Sequence, residues 1–418
     1  MYLFQPKMQL KLTGKWQYVL IGVGLVMASC KKDAIVKKEK DIRKSMEVST
    51  ETALQVARDF SYQAAFLNDP SVTAKQPHTM GATTFASGKK LKKAFAINDT
   101  HGQAALYVIN LDPAGFIVVS GSKKEVPILA FSEKGTFAYD PVNPPSFGIT
   151  DWVQERVKKI GKIRDTPAYE PDVHIKEQWD GYAPPIGEEE IVSGGTVYEQ
   201  KGPYTSTIWG QGPGYNDQVP YMLCSTTGNG HAWAGCVAVA TAQVMKYWHY
   251  PNSYSWSAMP DNAGSNETSR LIHDIGVDVN MDYGCEGSSA QTKKVENVLE
   301  GDFGYSTSIQ YVSTTSTAIV QQMNAQWPVV IRGSLLNGTG GHAWVCDGYR
   351  RNRHVLIHNP GTYYEYETSF ISDFYLRMNW GWYQNGIGLY NGWYLYGDFT
   401  PGNLNLNSDS HILINIHP

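Results

Sequence analysis

Three things are scarce in this chain: net charge, cysteine and long apolar runs. Among 418 residues, 35 Lys and Arg stand against 39 Asp and Glu, a formal net charge of −4 at pH 7. So even a balance leaves no electrostatic footprint for nucleic acid, and no such partner is expected. The five cysteines show no repeated spacing, neither a disulfide framework nor a CxxC metal site. No cofactor and no metal is expected. The one strongly apolar stretch, VLIGVGLVMA, is too short to cross a bilayer as a lone helix.

That short run has a use of its own. Lys7, Lys11 and Lys15 precede it, and the small residues Ala28 and Ser29 follow it, the order of a secretory signal. The ending Met27-Ala28-Ser29-Cys30 resembles a bacterial lipobox, which would make Cys30 a lipidated mature N-terminus. A plain signal peptide with a chance cysteine is the other reading. On the first reading, residues 1–29 are a lipoprotein signal and 30–45 a charged tether. The protein is then exported to the cell envelope, with a lipid anchor in the membrane, either displayed on the surface or released after processing.

The rest divides into two blocks. From Met46, Leu54, Ala57, Phe60 and Ala64 recur at helical spacing behind the caps Ser49 and Thr50. Strand patterns follow at Ala105–Leu111, Phe116–Ser120 and Pro127–Phe131, then a helix from about Thr150. This block, 46–165, has no cysteine and no catalytic set of its own. A connector of weak periodicity, 166–196, ends in GEEEIVSGG and reads as an exposed boundary open to proteolysis.

In the second block, 197–418, helical patterns begin at Cys236 and recur at Glu267–Ile275, Ser289–Leu299 and Thr315–Gln326. After Pro328 come the strand patterns VVIRGSL, HAWVCDGYR, HVLIHN, FYLRMNW, GWYLYG and HILINIH. Helices first and an antiparallel sheet afterwards make an α+β protein with two subdomains and a cleft between them. The 12 Trp and 26 Tyr, concentrated in this half, suit an aromatic-lined cleft as well as a β-rich core.

Cys236 sits where GHAWAG turns into the helix CVAVATAQVMKYW. First-turn amides lack partners and carry the positive end of the helix dipole, so they stabilise a thiolate, the nucleophilic form. A small buried side chain under a helix start is the plainer alternative. A nucleophile needs a base. His342, opening a strand after Gly340-Gly341, is better placed than His231 in its loop. For the group that orients the imidazole, Asn379 in MNWGW is favoured, with Trp380 covering the bond; Asn359 in a turn motif and Asp347 are rivals. The amide of Cys236 and the side chain of Gln211, in WGQG, are candidate oxyanion donors. Gln211 reads equally well as a polar loop residue. Cys346 shares a strand face with His342 and reads as a small core residue.

The order WGQG, GCVAVATAQVMKYWHYP, MDYG, GGHAWVCDGY and MNWGW resembles the streptopain family of papain-fold cysteine peptidases. ALYVINLDPAGFIVVSGSKKEVPILAFSEKG is similar to that family's inhibitory propeptide. The resemblance covers nearly everything from Met46 onwards. It implies a papain-like two-subdomain fold behind a small α+β propeptide, a zymogen that hydrolyses peptide bonds, and protein or peptide substrates. It implies Cys236 as nucleophile, His342 as base, Asn379 as orienter, Gln211 as oxyanion donor and Trp380 as shield. Trp382 and Gly341 would line the substrate cleft.

Three departures concern the rim of that cleft. The stretch RNRHVLIHNPGTYYEYETSFISDFY is longer than the family's hairpin. Tyr383 stands where a second glycine is expected, and GDFTPGNLNLNSDS lacks a long glycine run. Two other functions stay open on sequence: an amidase or acyl-transferring relative with the same Cys–His pair, and a silent surface-binding lipoprotein.

Overall fold

The computed structural model describes residues 46–66, 89–139, 147–166, 169–171, 173–182, 191–334, 340–358, 366–384, 387–388, 390–396 and 408–418. The signal segment, the tether, Cys30 and Asn359 lie outside these residues.

Helix α1 (Thr50–Phe66) starts where Ser49 Oγ accepts the amide of Thr52 at 3.1 Å. An antiparallel meander follows: β1 (Lys90–Asn98), β2 (Ala104–Asp112), β3 (Phe116–Ser120) and β4 (Ile128–Ser132). Helix α2 (Phe147–Arg164) covers its other face. The period of two decides which side chain meets which helix. Tyr107, Ile109, Ile117 and Val119 pack with Val56, Ala57 and Phe60 of α1. Leu106, Val108, Phe116 and Val118 pack with Trp152, Val153 and Ile160 of α2. A strand sandwiched this way reads as a continuous apolar run, as LYVINL does.

The connector differs from the weakly structured link expected. It carries α3 (Val173–Tyr182) and β5 (Ile191–Lys201). Two aromatics explain why: Trp179 and Tyr182 are buried, and Trp179 Nε1 donates to the Glu125 carbonyl at 2.8 Å. Burying two such rings offsets the entropy of ordering a short helix. GEEE at 187–190 is outside the described residues.

The second block opens with a small hairpin, β6 (Tyr221–Cys224) and β7 (Gly230–His231). Helices α4 (Cys236–Trp248), α5 (Asn266–Asp278) and α6 (Lys294–Gly301) come next, then β8 (Gln310–Ser313) and α7 (Ser316–Asn324). The strands β9 (Val329–Ser334), β10 (Gly341–His358), β11 (Tyr366–Asn379), β12 (Tyr383–Gln384), β13 (Ile387–Gly388), β14 (Gly392–Leu395) and β15 (Ser408–Ile414) complete it. HAWVCDGYR and HVLIHN, expected as two strands, form the single β10, because β11 pairs it from Val345 through to His358 and β5 pairs its outer half. The stretch expected as an enlarged hairpin at the cleft rim supplies these long arms.

All described pairings are antiparallel. The main sheet runs β1-β2-β3-β4-β14-β11-β10-β9-β15-β8, with β5 beside β10. Its continuity across the blocks rests on Phe131 opposite Trp393 and Ala130 opposite Tyr394. Phe137 and Trp152 of the first block share one core with Trp344, Trp380, Tyr390 and Tyr394 of the second. The two blocks are thus fused through sheet and core.

Helix α4 buries every residue from Val237 to Met245, as a core helix does, with the polar Thr241 and Gln243 hydrogen-bonded inside. Its start requires Gly235, whose φ is 90° and where a Cβ would lie 2.6 Å from Met281 Cε. Cys224 and Cys285 form a disulfide, which ties the β6–β7 hairpin to the loop after Met281. Cys346 is fully buried in the shared core.

Candidate active site

Cys236 is the first residue of α4, and His342 lies near the start of β10. Both line one cleft of about 720 Å³, with Gly341, Ala343, Ser288 and Asn280 among the other walls. Every described residue lining it belongs to the second block. Gly341 lets strand β9 approach: a Cβ there would sit 2.5 Å from the Gly333 carbonyl. Ser288 fixes the opposite wall, accepting from the Gly284 amide at 3.1 Å and donating to the Trp233 carbonyl at 2.5 Å.

The thiol is partly exposed but densely surrounded. Burial raises its pKa, while the approaching amides of Ala343, Val237 and Cys236 itself pull the other way. The imidazole is buried, and burial pushes its pKa down to about 4. Its Nε2–H donates to the main-chain carbonyl of Trp380 at 2.9 Å. That bond fixes the tautomer and leaves Nδ1 unprotonated, a base in waiting. In this state both members of the pair are neutral near pH 7.

The partner of the imidazole differs from the one expected. Asn379 is fully buried and does not reach His342; its Nδ2 donates to the Thr207 carbonyl at 2.7 Å and to Gln243 Oε1 at 2.9 Å. Its Oδ1 accepts from Asn391 Nδ2 at 3.0 Å. Asn391 Oδ1 in turn accepts the amide of Trp380 at 2.9 Å. This knot of amides holds the backbone whose carbonyl receives the imidazole. Inside a closed core such an amide satisfies its neighbours in preference to a ring one strand away.

The tryptophans form a stack beside the imidazole. Trp382, expected to line the cleft, stacks on His342 with ring centroids 4.8 Å apart and an interplanar angle of 21°. Trp380, expected as the shield, stacks behind Trp382 at 5.7 Å and 9°. Trp344 lies nearly parallel to the imidazole at 6.0 Å. It was legible as a neighbour of His342 two residues on, the strand period, and was missed.

Gln211 belongs to the loop before α4: its carbonyl accepts the Ala234 amide at 3.0 Å, two residues ahead of Cys236. The rivals are spent elsewhere. His231 bonds the Val219 carbonyl through Nδ1 at 2.6 Å. Asp347 is buried, accepts the Thr205 amide at 2.9 Å and lies 3.5 Å from Arg377. Among the described residues, no group of three or more His, Cys, Asp or Glu is placed to hold a metal.

A family model described as the Peptidase C10 family matches residues 209–254 and 252–394, and one described as Spi protease inhibitor matches 45–159. Streptopain of Streptococcus pyogenes is 30% identical over 291 residues, 58% of this chain and 68% of that protein. The thiol protease/hemagglutinin PrtT of Porphyromonas gingivalis is 23% identical over 395 residues, 82% of this chain and 40% of PrtT. The solved fragment of prointerpain A from Prevotella intermedia has the same fold, with a TM-score of 0.51 at 22% identity. The match covers 78% of this chain and 99% of that one. A cysteine at a helix start, a histidine lining the same cleft and an inhibitor-like block fused behind them agree with these matches, and the chain belongs to the Peptidase C10 family, as the zymogen of a cysteine endopeptidase with an inhibitory propeptide domain.

Proposed function

We propose that Cys236 is the nucleophile and His342 the general base of this peptidase. The observation that carries the assignment is that the two line one cleft, with the thiol at a helix start. Nδ1 of His342 takes the thiol proton as sulfur attacks the peptide carbonyl, and the same proton leaves on the amine. Water then cleaves the thioester, its proton passing through Nδ1. The amide of Cys236 and the side chain of Gln211 stabilise the oxyanion. The Trp380 carbonyl orients the ring, Asn379 holds that carbonyl in place, and Trp382 keeps water from the bond.

The neutral pair belongs to the latent form. Residues 46–165 act as the propeptide, 166–196 as the processing segment and 197–418 as the catalytic domain. Removing the propeptide frees the imidazole to meet the thiol and form the reactive ion pair. Export with a lipid on Cys30 is the proposed location, supported by the signal-like N-terminus.

The test is to titrate processed enzyme with an irreversible thiol-directed peptidase inhibitor, alongside Cys236→Ala and His342→Ala. Loss of both labelling and peptide hydrolysis in the first variant, and of hydrolysis in the second, is expected. Hydrolysis surviving Cys236→Ala means another thiol is the nucleophile.

A further inference from the structure

Among the described residues lining the cleft, the charged ones are all of one sign: Arg332, Lys293 and Lys294, with no carboxylate among these lining residues. Arg332 lies directly opposite Ala343 in the β9–β10 ladder, and the Ala343 amide meets the Cys236 thiol. Facing Cβ atoms in such a pair are about 5 Å apart. The guanidinium is therefore within a side chain's reach of a peptide bond held at the thiol.

Arg332 is held in place. Its Nη1 donates to Asp409 Oδ2 at 2.6 Å and to the Asp409 carbonyl at 3.1 Å, and it interacts with the Tyr311 hydroxyl. Asp409 does not cancel it fully. That carboxylate is also 3.2 Å from His411 Nδ1 and is 58% exposed, whereas the Arg332 side chain is 27% exposed. Exposure screens the anion more than the cation. Glu296, beside Tyr311, is engaged by the Tyr311 amide at 3.2 Å. A guanidinium has five donors in a rigid fork, and one nitrogen serves Asp409, so donors remain for a second carboxylate. On the helical wall Lys294 is tied to the Val279 carbonyl at 3.0 Å, while Lys293 is exposed at the start of α6.

We propose that this cleft reads an aspartate or glutamate side chain of the peptide being cleaved, with Arg332 as the specificity-determining residue and Lys293 and Lys294 reinforcing it. The inference rests on the cleft being the peptidase site. A charge-assisted bond at a partly dry site discriminates at least about tenfold against the uncharged isostere.

The test uses full-length protein brought to its processed form and normalised by thiol titration. Internally quenched peptides carry Glu, Gln or Lys singly at three positions on each side of one scissile bond. At one position kcat/KM should rank Glu above Gln at least about tenfold, with Lys lowest. Arg332→Gln should bring the Glu-to-Gln ratio near one, and Arg332→Glu should move the preference to Lys. Lys293→Gln, at an exposed position that does not endanger folding, should lower the ratio about two- to threefold, as should added salt. A ratio near one at every position overturns the proposal. So does a ratio untouched in both Arg332→Gln and Lys293→Gln. If no peptide is cut and Cys236 takes up no titrant, the peptidase reading of the cleft fails first, and this proposal with it.

Discussion

The imidazole of His342 is oriented by the main-chain carbonyl of Trp380, 2.9 Å from Nε2, rather than by the side chain next to it in sequence. A carbonyl has no negative charge, so it fixes the ring without drawing the proton away from the pair that must form. It also cannot be deleted by mutation. The residues that hold it can be.

Asn379→Ala removes two donors and an acceptor from a closed core: the Thr207 carbonyl and Asn391 Nδ2 lose this partner, and Gln243 Oε1 keeps only the Trp209 amide. The expected cost is about 1–3 kcal/mol of stability, a fall of several degrees in Tm. Activity per titrated site should fall only about tenfold, because Trp380 still offers its carbonyl. His342→Ala should lose about a thousandfold or more. Equal losses in the two variants, with the Tm of Asn379→Ala unchanged, would show that Asn379 bonds the imidazole directly in the active form.

Burial shifts the pair in opposite senses, raising the thiol and lowering the imidazole to about 4. In the full-length protein, alkylation by iodoacetamide should stay slow at neutral pH and climb only above the ordinary thiol range. The processed enzyme should react readily at pH 6. The same shift makes the latent fold acid-sensitive. Between the unperturbed value of about 6.5 and 4, the unfolded chain binds a proton at His342 that the folded chain refuses. Stability is therefore lost as pH falls through that window, by about 2 kcal/mol at pH 5. Thermal melts of Cys236→Ala at pH 7 and 5, against Cys236→Ala/His342→Gln, check this: the second protein should lose clearly less. Equal losses in both would mean that His342 is not the titrating group.

How much of this was legible in the sequence depends on range. The helix start at Cys236 and the glycine-led strand of His342 are local patterns, and both residues line the cleft. The first block's strands also showed, since LYVINL is apolar on both faces for a local reason. What stayed hidden is long-range. The meeting of β4 with β14 joins residues about 260 positions apart, and neither strand announces its partner. The connector's helix went unseen because two buried aromatics hold it, and periodicity does not register two residues. The Cys224–Cys285 bond likewise depends on a hairpin and a loop meeting 61 residues apart. Asn379 drew attention as an amide beside a tryptophan, yet its partners Thr207, Gln243 and Asn391 come from three other segments.

Lipidation at Cys30, outside the described residues, is tested directly. Radiolabelled palmitate should enter the wild type expressed in a bacterial host and be absent from Cys30→Ala. Equal labelling of both removes the anchor, and a secreted enzyme with an ordinary signal remains.

The last prediction concerns how the propeptide reaches the catalytic pair. None of the described residues of the first block lines the cleft, and the contacts it does make offer another path to the catalytic pair. Tyr390 offers the route. Its ring packs edge-on against Phe137 at 5.3 Å, and its hydroxyl donates to the Ala138 carbonyl at 2.8 Å. On the other side it meets Trp382 at 6.4 Å, and Trp382 stacks on His342. A chain of packed rings thus runs from the first block to the imidazole, and its arrangement with the propeptide present places the ring on the Trp380 carbonyl. Tyr390→Phe keeps every ring and removes one hydrogen bond, worth about 1 kcal/mol net, or roughly fivefold in the latent equilibrium. Phe137→Ala opens a cavity costing about 3–5 kcal/mol and should weaken the grip far more. Full-length protein should therefore show a shorter lag before self-activation with Tyr390→Phe, and almost none with Phe137→Ala. Once the propeptide is gone, Phe137→Ala enzyme should match the wild type in kcat. If both variants keep the wild-type lag, the aromatic chain is packing alone, and the propeptide silences His342 by another path.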